Sequence, residues 1–252
     1  MKEEAKRSNL MSHVKGVVIV RKNILILGSN GFIGKNLREH LGKNKEDYNV
    51  FSPSRLDLDL SDEDVVKEYI KNRYFDVIIH AAVYNPRIGN NKHIEKEIDM
   101  NLRMFYNLEK YSDYYGKMLY FGSGAEFDKR EDIIMANEDF NRNGIPVTDY
   151  GLYKYIINKA IENSKNIYNL RVFGLFGKYE NWKSTFISGA CCKALKNIPI
   201  TIRQNVYFDY LYIDDFCKII EWFINNDLKH KVFNVSSGKK IDLLTIAEIV
   251  KK

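Results

Sequence analysis

The stretch Asn23-Ile24-Leu25-Ile26-Leu27-Gly28-Ser29-Asn30-Gly31-Phe32-Ile33-Gly34 decides the fold. Ile24 to Leu27 is an unbroken apolar run, the pattern of a strand buried on both faces. Gly28, Gly31 and Gly34 then recur at three-residue intervals, and from Lys35 to Leu41 the pattern turns helical, with Leu37 and Leu41 on one face. A strand that enters a helix through glycines builds an anion site. Free backbone N–H groups and the positive end of the helix dipole point at the ligand, and the missing side chains admit a pyrophosphate. The spacing G-x-x-G-x-x-G is one residue wider than the commoner G-x-G-x-x-G. The same glycines could serve only to pack a helix on a sheet, so the rest of the chain has to choose between the two readings.

Outward from this turn, strands and helices alternate. Val50 and Phe51 end a second strand, and Ser61-Asp62-Glu63-Asp64 caps a helix running to about Arg73. Phe75 to Ala82 reads as a buried strand ending in small residues, and Ile94 to Tyr115 as one long helix. Lys117 to Phe121 is a strand ending at Gly122-Ser123-Gly124. Lys129 to Thr148 is mostly loop, followed by a helix capped by Thr148 or Asp149 that runs to about Asn163. Tyr168 to Phe173, Ile198 to Ile202 and Val232 to Val235 read as strands. Phe186 to Lys196, Asp214 to Asn225 and Leu243 to Lys251 read as helices. Such alternation predicts an α/β fold, a doubly wound parallel sheet with helices on both faces, whose ligands lie beyond the carboxyl ends of the strands. The glycine turn, Arg55, Ala81 and Ser123 all fall at such ends.

Composition narrows the function classes. At 252 residues, 45% hydrophobic and 29% charged, the chain can bury one sizeable core and a small appended lobe. The net charge of +6 is spread along the chain rather than gathered in a basic arm, which argues against nucleic acid as a partner. Cys191, Cys192 and Cys217 fit no zinc spacing, so no metal site is expected, and the adjacent pair is a poor disulfide. A reduced, cytoplasmic setting follows. No apolar run reaches membrane-spanning length, and Val14 to Val20 is too short for a signal sequence. Residues 1–22 read as an N-terminal extension, charged and aperiodic over Met1 to Ser12, with Val17 to Val20 either a small strand or part of that tail.

The cofactor choice lies after the second strand. An acid there would hold the ribose 2′-OH of NAD, whereas an arginine among small hydroxyls suits the 2′-phosphate of NADP. The segment is Ser52-Pro53-Ser54-Arg55, which favours NADP, NAD being the alternative, with Arg55 as the phosphate partner. For chemistry, Tyr150 and Lys154 stand four apart, on one face of a helix. A nearby ammonium stabilises a phenolate and lowers its pKa toward a useful range. Ser123 can bond the same substrate oxygen, so the three could protonate a carbonyl while a nicotinamide supplies hydride. Tyr155 and Lys159 share the spacing, but Tyr150 sits at the helix start after the loop, where a cleft is reachable.

With these residues in hand the chain resembles the extended short-chain dehydrogenase/reductases, in the NAD(P)-dependent nucleotide-sugar epimerase/dehydratase branch. The resemblance rests on Gly28-Ser29-Asn30-Gly31-Phe32-Ile33-Gly34, Asp59-Leu60-Ser61-Asp62, His80-Ala81-Ala82, Asp99-Met100-Asn101-Leu102 and Gly122-Ser123-Gly124. It continues through Tyr150-Gly151-Leu152-Tyr153-Lys154, Leu170-Arg171-Val172-Phe173-Gly174, Tyr210 to Asp215 and Phe233 to Gly238. It implies a Rossmann-like domain over 23–170 and a segment 171–252 that completes the sheet and forms a small substrate lobe. It implies that Ser123, Tyr150 and Lys154 are catalytic and that Asn101 orders their site. It implies that Gly28, Asn30, Gly31, Phe32, Ile33, Gly34, Arg55, Asp59, Leu60, Ala81, Ala82, Tyr150 and Lys154 contact the cofactor. A homodimer through the helices around Asn101 and Tyr150 is implied too, with a small-molecule sugar nucleotide as substrate and a role in polysaccharide biosynthesis.

The departures from the family pattern narrow the reaction. The 4,6-dehydratases carry Asp-Glu directly after the catalytic Ser/Thr. Here that pair falls on Gly124-Ala125, or on Ala125-Glu126 in a register that would put Gly124 at the catalytic position. The GDP-fucose-forming epimerase/reductases carry Cys two residues after the serine, where this chain has Ala125. What remains needs only Ser, Tyr, Lys and cofactor: 4-keto reduction first, 4-epimerisation second, and a non-catalytic NADP(H) sensor or scaffold as the reading without turnover. Phe208 stands where the family usually places a diphosphate-binding Arg, with Arg203 nearby as a substitute. Ending at Lys252 implies a shortened substrate lobe. Substrate choice is expected from Pro86 to Asn91 and Gly177 to Ser188.

Overall fold

The computed structural model describes residues 11–14, 17–86, 93–130, 132–139 and 144–251. Strands β1 (Met11–Val14) and β2 (Val17–Val20) pair antiparallel as a separate hairpin, and for Val17 to Val20 the strand is the alternative that forms. The first core unit is β3 (Lys22–Leu27), α1 (Phe32–Leu41), β4 (Tyr48–Phe51), α2 (Glu63–Lys71) and β5 (Phe75–His80). Then come α3 (Glu97–Glu109), β6 (Tyr115–Ser123), α4 (Asp149–Glu162), β7 (Ile167–Val172) and β8 (Gly174–Phe176). The chain continues through α5 (Phe186–Leu195), β9 (Tyr207–Tyr212), α6 (Ile213–Asn225), β10 (Val232–Val235), β11 (Lys240–Asp242) and α7 (Leu243–Lys251).

Six strands form one sheet in the order β10-β7-β6-β5-β3-β4, every pair parallel. The chain steps from β3 to one side for β4 and to the other for β5, so the topological switch lies between β3 and β5. The side chains of β3 alternate: Ile24 and Ile26 face one core with Leu37 and Leu41 of α1 and Phe216 and Ile220 of α6. Leu25 and Leu27 face the other, with Val66 and Ile70 of α2, Phe105 and Leu108 of α3 and Tyr153, Ile157 and Ile161 of α4. A continuous apolar run is thus two half-patterns, one per layer of helices, as a doubly covered parallel sheet requires.

Two sequence expectations are corrected. Ile94 to Tyr115 is not one helix: a short 3₁₀ turn (Ile94–Lys96) precedes α3, and a second (Ser112–Tyr114) leads into β6. Ile198 to Ile202 forms no strand; Ile198 is half exposed and the segment, carrying Pro199, pairs with nothing. The second sheet was not foreseen: β8 lies parallel to β9, and β11 antiparallel to it. Among the described residues no helix is long and apolar enough to cross a membrane, and no cluster of His, Cys, Asp or Glu could hold a metal ion.

Candidate active site

The glycine turn is built as a cradle. Gly28 has φ +76°, and a Cβ there would lie 2.6 Å from the Cα and N of Ala82. The turn therefore presses directly on the end of β5, and any side chain at residue 28 would strike it. Gly34 is held closer still: a Cβ would collide with the carbonyl of Gly28. The N–H of Gly31 donates to Gly28 O at 3.0 Å, which closes the turn. No side chain caps α1 and its first turn holds no acid. The helix start is left to an anion, at the crevice where doubly wound sheets bind dinucleotides. These residues fit a dinucleotide cofactor.

Further along the same edge, Arg55 donates from Nε and Nη2 to Asp59 Oδ2 at 3.3 and 3.4 Å, with Arg55 largely exposed and Asp59 partly buried. Asp59 Oδ1 in turn accepts the N–H and hydroxyl of Ser61 at 2.9 and 2.6 Å, at the entry to α2. Leu60 is buried beneath. The two charged residues expected at the adenosine end are therefore neighbours, and Arg55 is not sequestered in the fold.

Ser123 ends β6 and caps the short turn that follows. Its Oγ accepts the N–H of Ala125 at 3.1 Å, and its own N–H donates to Glu126 Oε1 at 3.0 Å. Tyr150 comes from the first turn of α4, which Thr148 caps by accepting the N–H of Gly151 at 3.1 Å. The Ser123 hydroxyl lies near enough to the Tyr150 phenol to draw its pKa down. Of the two possible registers, then, the structure brings Ser123 to the tyrosine. Gly124 has no hydroxyl to offer, and a Cβ there would meet Phe173 at 2.8 Å.

Lys154, one helical turn on, is buried and donates from Nζ to Phe121 O at 2.5 Å. Burial pushes its pKa down to about 8, with the charge of Glu126 pulling it back up. Tyr150 differs from expectation. Burial pushes its phenol above the usual value while the Ser123 hydroxyl opposes that shift. The expected lowering by Lys154 is not seen, because the ammonium is turned to a backbone carbonyl and sits 6.0 Å from the Tyr150 ring centre. The rival pair lies elsewhere, with Lys159 at the surface, bonded to Glu162 at 2.9 Å.

Asn101 braces the loop after β5. Its Oδ1 accepts the Tyr84 N–H at 3.0 Å, and its Nδ2 donates to Tyr84 O at 2.9 Å and to Glu97 O at 2.7 Å. Arg203 and Phe208 are both exposed, with Phe208 5.7 Å from the Tyr210 ring. Of the loop expected to choose the substrate, Pro86 is described and 87–91 lie outside the described residues. Sequence reasoning missed Glu126 as a partner of Ser123, although Ser123-x-x-Glu126 is the spacing of a capping box.

The comparisons with known proteins bear on the family and the fold. The model of the "NAD dependent epimerase/dehydratase family" matches residues 24–236. A GDP-L-colitose synthase from Yersinia pseudotuberculosis is 25% identical over 252 residues, covering 91% of this chain and 81% of that protein. An ADP-L-glycero-D-manno-heptose-6-epimerase from Brachyspira hyodysenteriae is 22% identical over 272 residues, covering 91% of this chain and 80% of that one. In fold, the chain resembles a dTDP-4-dehydrorhamnose reductase from Bacillus anthracis solved with NADP, at a TM-score of 0.78 and 23% identity, covering 91% of this chain and 80% of that one. The glycine cradle at the β3/β5 switch and a match running from β3 to the end of β10 lead to one conclusion: this chain belongs to the NAD-dependent epimerase/dehydratase family.

Proposed function

We propose that this protein is an NADP-dependent reductase of a 4-keto nucleotide-activated hexose. The observation that carries the reading is the placement of Ser123, at the end of β6, beside Tyr150, in the first turn of α4, on the same edge of the sheet as the Gly28–Ala82 crevice. The cofactor, held by the glycine turn, Ala81, Ala82, Asp59 and Leu60, supplies hydride when bound. Arg55 gives its guanidinium to the 2′-phosphate, exchanging an exposed pairing with Asp59 for a doubly charged partner. Tyr150 donates its proton to the keto oxygen, and its raised pKa keeps that proton in place until the oxygen gains charge. Ser123 bonds the same oxygen. Lys154 keeps its charge one helical turn from Tyr150, with its ammonium on Phe121 O, and Asn101 holds the loop carrying Tyr84 against the site.

Glu126 is turned into the protein, so the acid pair needed for 4,6-dehydration has no carboxylate in the site from this segment. The same Ser, Tyr and Lys would serve 4-epimerisation by oxidation and re-reduction. The similarity to a heptose epimerase keeps that second reading in view.

The test is a nicotinamide-fluorescence titration with NADPH and NADH, followed by a screen of 4-keto sugar nucleotides. NADPH should bind at least about tenfold more tightly than NADH, and Arg55→Ala should erase the difference, since a charge-assisted pair is worth about 1.5–3 kcal/mol. Tyr150→Phe should lower turnover by about 10²–10⁴ with NADPH binding retained. A preference for NADH would move 4-epimerisation ahead of reduction. Binding with no turnover of any 4-keto sugar would leave the sensor reading.

A further inference from the structure

Behind Ser123 lies a buried pair of opposite charges. Glu126 and Arg171 are both fully buried, with Arg171 Nε 2.9 Å from Glu126 Oε2. Taking two charges out of water is costly, and a buried pair by itself adds little to stability, so its place in the fold asks for another reason. The hydrogen bonds supply one. Glu126 Oε1 accepts the backbone N–H of Ser123 at 3.0 Å. Asn169, the neighbour of Arg171 but one on β7, donates from Nδ2 to both carboxylate oxygens, at 3.2 and 3.0 Å, and to Asn158 Oδ1 at 2.6 Å. Gly122 makes the room, because a Cβ there would collide with Asn169 Oδ1 and Glu126 Oε1.

On its far side Arg171 donates from Nη1 to Asn234 Oδ1 at 3.0 Å and to Glu138 O at 3.3 Å, and its guanidinium lies 4.5 Å from the Phe127 ring centre. The carboxylate can therefore neither rotate nor withdraw. It fixes the backbone of Ser123, while the Ala125 N–H fixes the serine oxygen at 3.1 Å. With its backbone held by Glu126 and its oxygen held by the Ala125 N–H, the serine is kept beside Tyr150.

We propose that Glu126, locked in place by Arg171, is a positioning residue that holds the Ser123 hydroxyl against Tyr150. The inference rests on the reading of Ser123 and Tyr150 as the pair that handles the substrate oxygen. It gives the buried charges a task in the reaction rather than in stability. Glu126 touches neither substrate nor cofactor and acts through the serine.

The test is a double-mutant cycle on the full chain with Ser123→Ala and Glu126→Gln, the latter keeping shape and removing charge. Glu126→Gln should bind NADPH as the wild type does and lower kcat about tenfold to a hundredfold with KM changed less than about threefold. Adding Ser123→Ala to Glu126→Gln should cost less than about threefold more, because the serine would already be displaced. Multiplicative losses, or an unchanged kcat in folded Glu126→Gln, would overturn the proposal. A second readout needs no turnover: the ¹³Cζ NMR signal of Tyr150 in NADPH-loaded protein. Glu126→Gln and Ser123→Ala should move it in the same direction, and a signal unmoved by Glu126→Gln would sink the idea. If no 4-keto sugar is turned over while the NMR signals shift together, the functional reading fails and the positioning device stands. Should Glu126→Gln not fold, Glu126→Gln with Arg171→Met strands no charge and is put through the same two readouts.

Discussion

Lys154 is a residue the fold keeps at a cost. Its ammonium is buried 4.4 Å from the Tyr120 ring centre and 5.5 Å from that of Tyr153. Its folded pKa is about 8, against 10.5 for the free side chain. Between these values the unfolded chain holds a proton that the folded chain has shed, so this site makes stability rise with pH from about 8 to 10.5. At neutral pH the charge is present in both states, and its burial costs roughly 3 kcal/mol. Lys154→Met should therefore abolish turnover while leaving the denaturation midpoint at pH 7 no lower than that of the wild type; a clear drop in midpoint would refute this account.

His80 works in the acid range. It is buried at the end of β5, packs edge-on to Tyr120 at 5.4 Å, and neither ring nitrogen has a hydrogen-bond partner. Burial, aided by Lys154, pushes its pKa from 6.5 down to about 3. As pH falls from 6.5 toward 3 the unfolded chain takes up a proton that the folded chain refuses, so stability is lost at about 1.4 kcal/mol per pH unit from this site. His80→Leu should flatten urea-denaturation stability against pH in that window, and an unchanged slope would show that other groups set it.

At the scale of elements, the strand-turn-helix unit separates its glycines. Gly28 is in the left-handed region with the backbone of Ala82 at 2.6 Å, whereas a Cβ on Gly31 would meet only Gly28 O at 3.3 Å. Gly28→Ala should cost at least about 1–3 kcal/mol from the backbone alone and abolish NADPH binding. Gly31→Ala should fold with near-wild-type stability. Urea denaturation and the nicotinamide titration read both, and equal effects at the two positions would refute the cradle geometry. On the helix side of the unit, Leu37 is fully buried between β3 and α6. Leu37→Ala should cost about 2–5 kcal/mol by leaving a cavity in that layer, measurable as a lower urea midpoint.

For the whole molecule, the two helical layers are unequal. One holds α1 and α6 and the other α2, α3 and α4, with α3 and α4 packed on each other beside the site. Their outer face carries Asp99, Arg103 and the exposed Tyr106. The homodimer that the resemblance implied would bury this face, and the exposed Tyr106 is its test position. Light scattering at micromolar concentration should give twice the mass of the 252-residue chain, and Tyr106→Glu should halve it; a monomeric wild type would reject the interface.

The sequence by itself determined the parts whose physics is local. An apolar run, three glycines and a helical pattern fix β3, its turn and α1, because each depends on residues within a dozen positions. The four-residue step from Tyr150 to Lys154 places both on one helix face whatever lies around them. Tertiary structure decided what depends on distant partners. Ile198 to Ile202 looks like a strand but finds no neighbour to bond, whereas β8 and β11, three residues each, exist only because β9 lies between them. The pKa of Tyr150 follows burial and the direction in which Lys154 points, neither of which the spacing encodes. The link from Ser123 through Glu126 to Arg171 joins residues 45 positions apart. Only the parallel pairing of β6 with β7 brings them face to face, in an interior where a carboxylate must find its partners or not be charged at all.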